Sequence, residues 1–492
     1  MLFNSYAFIF VFLPVCLLGF FLLGAKGWVK AASWWLSGAS LFFYAWWNPD
    51  PSQPWSPRYL ALIFGSIVFN YTLGVRIARA VEQCQARGAR RALFCGIAVN
   101  LVALGYYKYA GFLTTTANTA LGAHFSPGHI ALPLAISFFT FTQIAYLVDA
   151  FHGVTKEYSF RWYLLFVSFF PHLIAGPIVM YRNLMPQFAR RETWRWQGEN
   201  FAAGLSLFAF GLFKKVVFAD TLSPISSRVF EALGGSAGPG LVPAWTGALA
   251  YTLQLYFDFS GYSDMALGLA RMFNVRFPLN FNSPYKARDI ADFWRRWHIS
   301  LSTFLRDHLY IPLGGNRLGG QRRYFNVLVT MVLGGLWHGA GWTFVVWGGL
   351  HGAYLVVHQL WVKATRGLPW AISRPAVLLG WAVTQIAVVV GWVFFRAHSL
   401  GDAMTMLASM AGRHGLTPTA RLADAAVIAG TGLIALCAPN TEEIFRLAEQ
   451  SASPAPARRW TLTPRWALAT AGVFAISVLH LSGVTEFLYF QF

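Results

Sequence analysis

Apolar runs of bilayer-spanning length recur along this chain, and no other feature constrains its fold as strongly. One crossing takes about 20 consecutive apolar residues. Candidate runs lie at 6–24, 31–47, 59–79, 92–113, 130–148, 160–180, 201–219, 241–258, 325–337, 342–362, 376–396, 424–438 and 466–482. They predict an all-α, polytopic transmembrane protein with about 11–13 membrane segments, some re-entrant or broken. The whole of 1–492 reads as one integral membrane domain. Charged residues are 12% of the chain and hydrophobic residues 56%, whereas a soluble domain carries about 25% charged residues. The chain cannot cover itself with polar surface. Soluble folds, disordered chains and small disulfide scaffolds are excluded.

The basic excess has a membrane explanation. Lys and Arg total 38 against 19 Asp and Glu, a net charge of +19, and the charges sit in short links between apolar runs. Cytoplasmic loops retain Lys and Arg, so no nucleic-acid partner is implied. Lys26 and Lys30 follow the first run, while 48–58 carries only Asp50 and Arg58. The link with Arg76, Arg79, Arg87, Arg90 and Arg91 is basic, and 114–129 is uncharged. This alternation places the N-terminus outside and 76–91 in the cytoplasm. It slips afterwards: if 130–148 and 160–180 both crossed, Arg182, Arg190, Arg191 and Arg195 would lie outside. One of the two is therefore expected to enter and leave on the same side, with Pro133, Pro171 and Pro177 as helix breaks. The stretch 260–324, with ten basic and four acidic residues, then falls in the cytoplasm. The first run reads as a retained span, not a cleaved signal. Cys16, Cys84, Cys95 and Cys437 are scattered and suggest neither disulfides nor a metal site. The link at 440–465 reads as an uninformative loop.

Two stretches carry chemistry. In Asp289–Tyr310, DIADFWRRWHISLSTFLRDHLY, Trp294, Trp297, His298, Leu301 and Leu305 recur at helical spacing. An amphipathic helix at the cytoplasmic face is predicted, with tryptophans at headgroup level. A plain membrane anchor explains the stripe equally well, but a histidine inside it needs a hydrogen-bond partner or a task. The second stretch is Phe325–Gly352, whose apolar run 325–337 is thirteen residues long and ends at Gly334-Gly335 before Trp337-His338-Gly339. At 1.5 Å per residue it carries His338 about 20 Å from the membrane face. An ionisable residue at that depth, on backbone loosened by glycine, marks a functional site. His351 reads as a supporting or packing residue.

Longer motifs then align with a known family. MLFNSYAFIFVFLP at the start, LPLAISFFTFTQIAYLVDAF at 132–151 and FFPHLIAGPIV at 169–179 are three of them. The others are YFDFSGYSDMALGLARMFNVRFPLNFNSPY at 256–285, FWRRWHISLSTFLRDHLYIPLGGNR at 293–317, GGLWHGAGWTFVVWGGLHG at 334–352 and EFLYFQF at the end. With these motifs the chain resembles the membrane-bound O-acyltransferases, and within them the bacterial branch of alginate O-acetyltransferase membrane subunits. The segment 400–465 matches nothing specific.

The resemblance implies a central tunnel through the bacterial inner membrane and transfer of an acyl group from a cytoplasmic thioester donor. For this branch the donor is acetyl-coenzyme A, and no permanently bound cofactor is implied. The acceptor is an exported polysaccharide, reached through a periplasmic SGNH-type acetyltransferase or a polysaccharide-modification complex. The family's essential histidine maps onto His338 and its second histidine onto His298. A neutral imidazole suits general-base attack of a hydroxyl on a thioester; His338 would be that base or, alternatively, an acylated nucleophile. His298 would orient the thioester or polarise its carbonyl. Arg295, Arg296, Arg306 and Arg317 would meet coenzyme A phosphates, or equally lipid headgroups. Asp258, Asp264 and Asn280 lie in a matching motif without an implied role. Two alternatives stand beside this reading: a D-alanyl or lipid acyltransferase of the same family, and a non-catalytic transport or scaffold subunit.

Overall fold

The computed structural model describes residues 1–46, 57–126, 128, 130–174, 176–234, 238–416, 421–445, 460–481 and 488. Asp50, the Pro-rich 453–456 of the 440–465 link and nearly all of the closing EFLYFQF motif lie outside the described residues. Helices and no strands occur among the described residues. They form two compact units, one of 1–208 with 265–278 and the other of 209–264 with 279–492.

The first unit begins with a π-helical turn, Ala7–Phe12, running into α1 (Leu13–Ala25), followed by α2 (Val29–Ala45) and α3 (Arg58–Glu82). Next, α4 (Ala86–Leu104) passes through a π-helical turn into α5 (Ala110–Leu121). Then come α6 (Ile136–Phe151), α7 (Phe160–Ser168), α8 (Phe170–Leu173), α9 (Tyr181–Phe188) and most of α10 (Gly198–Phe213), which belongs to this unit up to Phe208. The apolar run 160–180 is broken, as its prolines predict: α7 stops before Phe169, and Pro171 opens the short α8. Buried amides tie the long helices together. Asn100 donates to Asn70 at 2.6 Å and Asn70 returns a bond of 3.2 Å, joining α3 to α4. Gln143 of α6 donates to Ser66 of α3 and accepts from Tyr163 of α7. In an apolar surround, such bonds hold helices that hydrophobic burial alone does not drive together.

The second unit holds a π-helical turn at Lys214–Ala219, α11 (Asp220–Glu231) and most of α12 (Leu241–Met272). It continues with α13 (Ile290–Arg296), α14 (Ile299–Leu305), α15 (Gly320–His338), α16 (Trp342–Ala364) and α17 (Arg374–Arg396). It ends with α18 (Leu400–Met410), α19 (Leu422–Cys437), α20 (Thr441–Phe445) and α21 (Pro464–Leu479). Among the described residues, five helical stretches are long and apolar enough to cross a membrane: Ala7–Ala25, Arg58–Glu82, Ala86–Leu121, Gly198–Gly234 and Arg374–Arg396. Their outward faces suit hydrocarbon. On α17, Leu378, Leu379, Val383 and Ile386 are more than half exposed, while Val388, Trp392 and Phe395 are buried.

Three expectations are corrected in this unit. The helix predicted over 241–258 does not stop there; α12 continues to Met272, and its Asp258 and Asp264 are buried. Ion pairs permit that burial: Lys215 lies 2.7 Å from Asp258 and 2.8 Å from Asp220, and Lys214 lies 2.6 Å from Asp264. Second, Gly334-Gly335 does not interrupt a helix. A Cβ on Gly335 would stand 2.3 Å from the Phe344 carbonyl oxygen, and one on Gly348 would stand 2.4 Å from that of Met331. These glycines let α15 and α16 meet backbone to backbone. Third, the start of the 440–465 link is structural. Thr441 donates to Asp264, and Asn440 donates to Asn282 and Ser283.

Candidate functional site

His338 is the last residue of α15, and the chain turns through Gly339–Gly341 into α16. His298 stands between α13 and α14 in left-handed conformation, φ 44 and ψ 55. The single amphipathic helix expected over Asp289–Tyr310 is therefore two short helices. The neighbouring segment explains the break. In a continuous helix the Arg296 carbonyl would accept from Ser300; here it accepts from the Asn282 N–H at 2.9 Å. The Ile299 N–H donates to the Asn280 carbonyl at 2.9 Å, and the Ser300 N–H donates to Asn280 Oδ1 at 3.3 Å. Within the stripe, Trp297, His298, Leu301 and Leu305 are buried inside the unit. A left-handed non-glycine residue costs about 1 kcal/mol or more and persists only where its surroundings over-determine it, a circumstance concentrated at functional sites.

The two imidazoles come together, with ring centroids 6.1 Å apart. Both are buried, His338 at 4% exposure and His298 at 0%. Aromatic rings wall them: Trp347 lies 5.2 Å and Phe395 5.3 Å from His338, and Phe259 lies 4.7 Å from His298, all near edge-on. Trp337 touches both. His351 belongs to the next layer, packed against Trp347 at 4.9 Å, Trp294 and Tyr354. Its position fits the packing role expected of it.

The four arginines lie outside this chamber's core. Arg295 and Arg296 share Asp292 at 3.7 and 3.0 Å, and Arg306 pairs with Asp307 at 2.7 Å. Arg295 and Arg306 remain largely exposed in spite of these pairs, and Arg317 is exposed on the loop before α15. No group of three or more His, Cys, Asp or Glu placed to hold a metal occurs among the described residues.

Sequence reasoning assigned nothing to Asn280, whose Oδ1 lies 3.0 Å from His298 Nδ1 and accepts from Ser300 Oγ at 2.8 Å. Its Nδ2 donates to Ser263 Oγ at 3.1 Å. The available signal was two asparagines in the otherwise apolar FPLNFNSPY, which burial obliges to find partners. Trp347 and Phe395 were legible only as apolar residues.

Chemically, two buried imidazoles walled by aromatic rings can take and return protons while keeping water away. Residues 149–395 match the family described as MBOAT, membrane-bound O-acyltransferase family, a span that includes both histidines. The chain is 44% identical over 446 residues to the peptidoglycan O-acetyltransferase of Helicobacter pylori, covering 85% of this chain and 81% of that protein. It is 43% identical over 420 residues to a protein of Azotobacter vinelandii named "Probable alginate O-acetylase AlgI", covering 83% and 78%. A protein of the same name from Pseudomonas putida is 39% identical over the full length of both chains.

Proposed function

The chain belongs to the membrane-bound O-acyltransferase family, a multi-pass membrane acyltransferase, and from that premise we propose that it passes an acetyl group from cytoplasmic acetyl-coenzyme A towards an exported polysaccharide. Delivery runs across the bacterial inner membrane and through a periplasmic SGNH-type acetyltransferase. The relatives named for alginate and for peptidoglycan acetylation support a polysaccharide acceptor.

The observation that carries this reading is the buried His298–His338 pair, 6.1 Å between ring centroids. In the proposed reaction His338 takes the proton of the attacking hydroxyl as the new C–O bond forms. The thioester C–S bond then breaks, and the imidazolium returns the proton to the departing thiolate. Positive charge on His338 develops at the C-terminal end of α15, the negative end of that helix dipole. His298 works beside it on the donor side. The rings of Trp347, Phe395 and Trp337 keep water from hydrolysing the thioester. In this proposal the coenzyme phosphates bind to Arg295, Arg306 and Arg317, whose guanidiniums are exposed, while Arg296 is held closer to Asp292.

The test is turnover of radiolabelled acetyl-coenzyme A by the purified full-length chain. His338→Ala is expected to lower transfer and thioester hydrolysis by about 1,000-fold while leaving the protein monodisperse in detergent. Unchanged turnover in that variant would remove His338 from the chemistry.

A further inference from the structure

We infer that Asn280 is the positioning residue that fixes the protonation pattern of His298 and thereby decides how that ring enters the reaction. The inference rests on the reading of His298 as part of the catalytic pair and adds the direction in which its nitrogens act.

The hydrogen bonds around Asn280 leave one consistent arrangement. The Ser300 backbone N–H can only donate, and it points at Asn280 Oδ1 from 3.3 Å. The atom there is therefore the carboxamide oxygen, not the nitrogen, and the amide nitrogen faces Ser263 Oγ at 3.1 Å. The same oxygen lies 3.0 Å from His298 Nδ1. A carboxamide oxygen has no hydrogen to give, so Nδ1 must hold the proton. In a neutral imidazole the lone pair then sits on Nε2.

This has a chemical consequence. A neutral His298 in this tautomer cannot donate from Nε2 to a thioester carbonyl, so it does not polarise that carbonyl. It meets the reaction as a proton acceptor. The choice of an amide matters as well: it holds the N–H without the negative charge that would favour imidazolium. Around the ring stand Phe259 of α12 and Trp337 and His338 of α15. The neighbouring titratable group among these is His338. Ser263 and Ser300 orient the amide, and the backbone bonds of Asn280 and Asn282 to Ile299 and Arg296 hold the ring's left-handed backbone against it.

The experiment compares full-length wild type, Asn280→Leu, Asn280→Asp and His298→Ala over pH, with radiolabelled acetyl-coenzyme A as donor. Asn280→Leu is expected to lower kcat about 100-fold and to change KM for the donor less than about threefold. Asn280→Asp keeps an acceptor at Nδ1, so it recovers activity at high pH. Its carboxylate favours the imidazolium, so the acid limb of its pH–rate profile moves up by about one unit or more. This recovery with a displaced limb is the signature that a merely structural role would not produce. Two results overturn the inference while His298→Ala is inactive: a wild-type kcat and profile in Asn280→Leu, or equal loss at every pH in Asn280→Leu and Asn280→Asp when both remain monodisperse. Full activity in His298→Ala would instead refute the catalytic pair itself, and the inference with it.

Discussion

At the scale of single residues, three histidines of similar burial have different surroundings. His338 and His298 face each other across 6.1 Å, whereas His351 is 0% exposed and packs against Trp294, Trp347 and Tyr354. Neither of its ring nitrogens has a hydrogen-bond partner among the described residues. A phenyl ring in its place would meet the same aromatic faces without polar atoms to satisfy. We therefore expect His351→Phe to keep transfer within about threefold of wild type and to hold or raise Tm, because removing an unsatisfied buried polar group is near-neutral or stabilising. A loss as deep as that of His338→Ala, in a turnover assay, would give His351 a chemical role. His338 and His298 were each legible from their apolar settings, and as a pair only through the resemblance of their motifs to the family. Asn280 was not, because its meaning lies in a partner 18 residues away across a helix break that periodicity hides.

Among the elements, the α15–α16 hairpin and the buried ion pairs make opposite demands on side chains. The hairpin needs nothing at Gly335 and Gly348, where any Cβ would meet the partner's backbone. Gly335→Val is expected to cost about 1–3 kcal/mol as the helices are forced apart. Gly430→Ala on α19 meets nothing within 4 Å and should leave Tm unchanged or higher. Equal Tm losses in the two variants would contradict the close-approach account. The ion pairs need their charges. Lys215→Met strands Asp258 and Asp220 in the interior, and loss of one partner of a buried pair costs about 3–5 kcal/mol. Thermal unfolding of Lys215→Met in detergent should show a marked fall in Tm; a wild-type Tm would show that the pair is not holding α12. Helices that face lipid were readable directly: Ala7–Ala25, Arg58–Glu82 and Arg374–Arg396 lie close to the runs 6–24, 59–79 and 376–396. The end of α12 was not readable, because Asp258 and Asp264 look like a loop until Lys214 and Lys215 are seen to neutralise them from more than 40 residues away. Gly334-Gly335 misled for a related reason: glycine signals either a break or a close approach, and only the neighbouring helix tells which.

For the whole molecule, composition and hydropathy were sufficient to establish a multi-pass helical membrane protein, because a chain with 12% charged residues has no other way to hide its apolar surface. The buried network that makes it a family member is spread over distant motifs, from YFDFSGYSDMALGLA on α12 through NFNSPY to WRRWHIS and GLWHGA. Each is a modest signal alone, and the fold gives them one meaning by packing them around two imidazoles. The proposed activity adds direction: donor on one side of the bilayer, acceptor on the other. Sealed proteoliposomes of the full-length chain, with radiolabelled acetyl-coenzyme A supplied on one side and a polysaccharide acceptor with its SGNH-type acetyltransferase on the other, measure that directly. Wild type should move label onto the distant acceptor and His338→Ala should leave it on the donor; equal label crossing with both proteins would contradict the account.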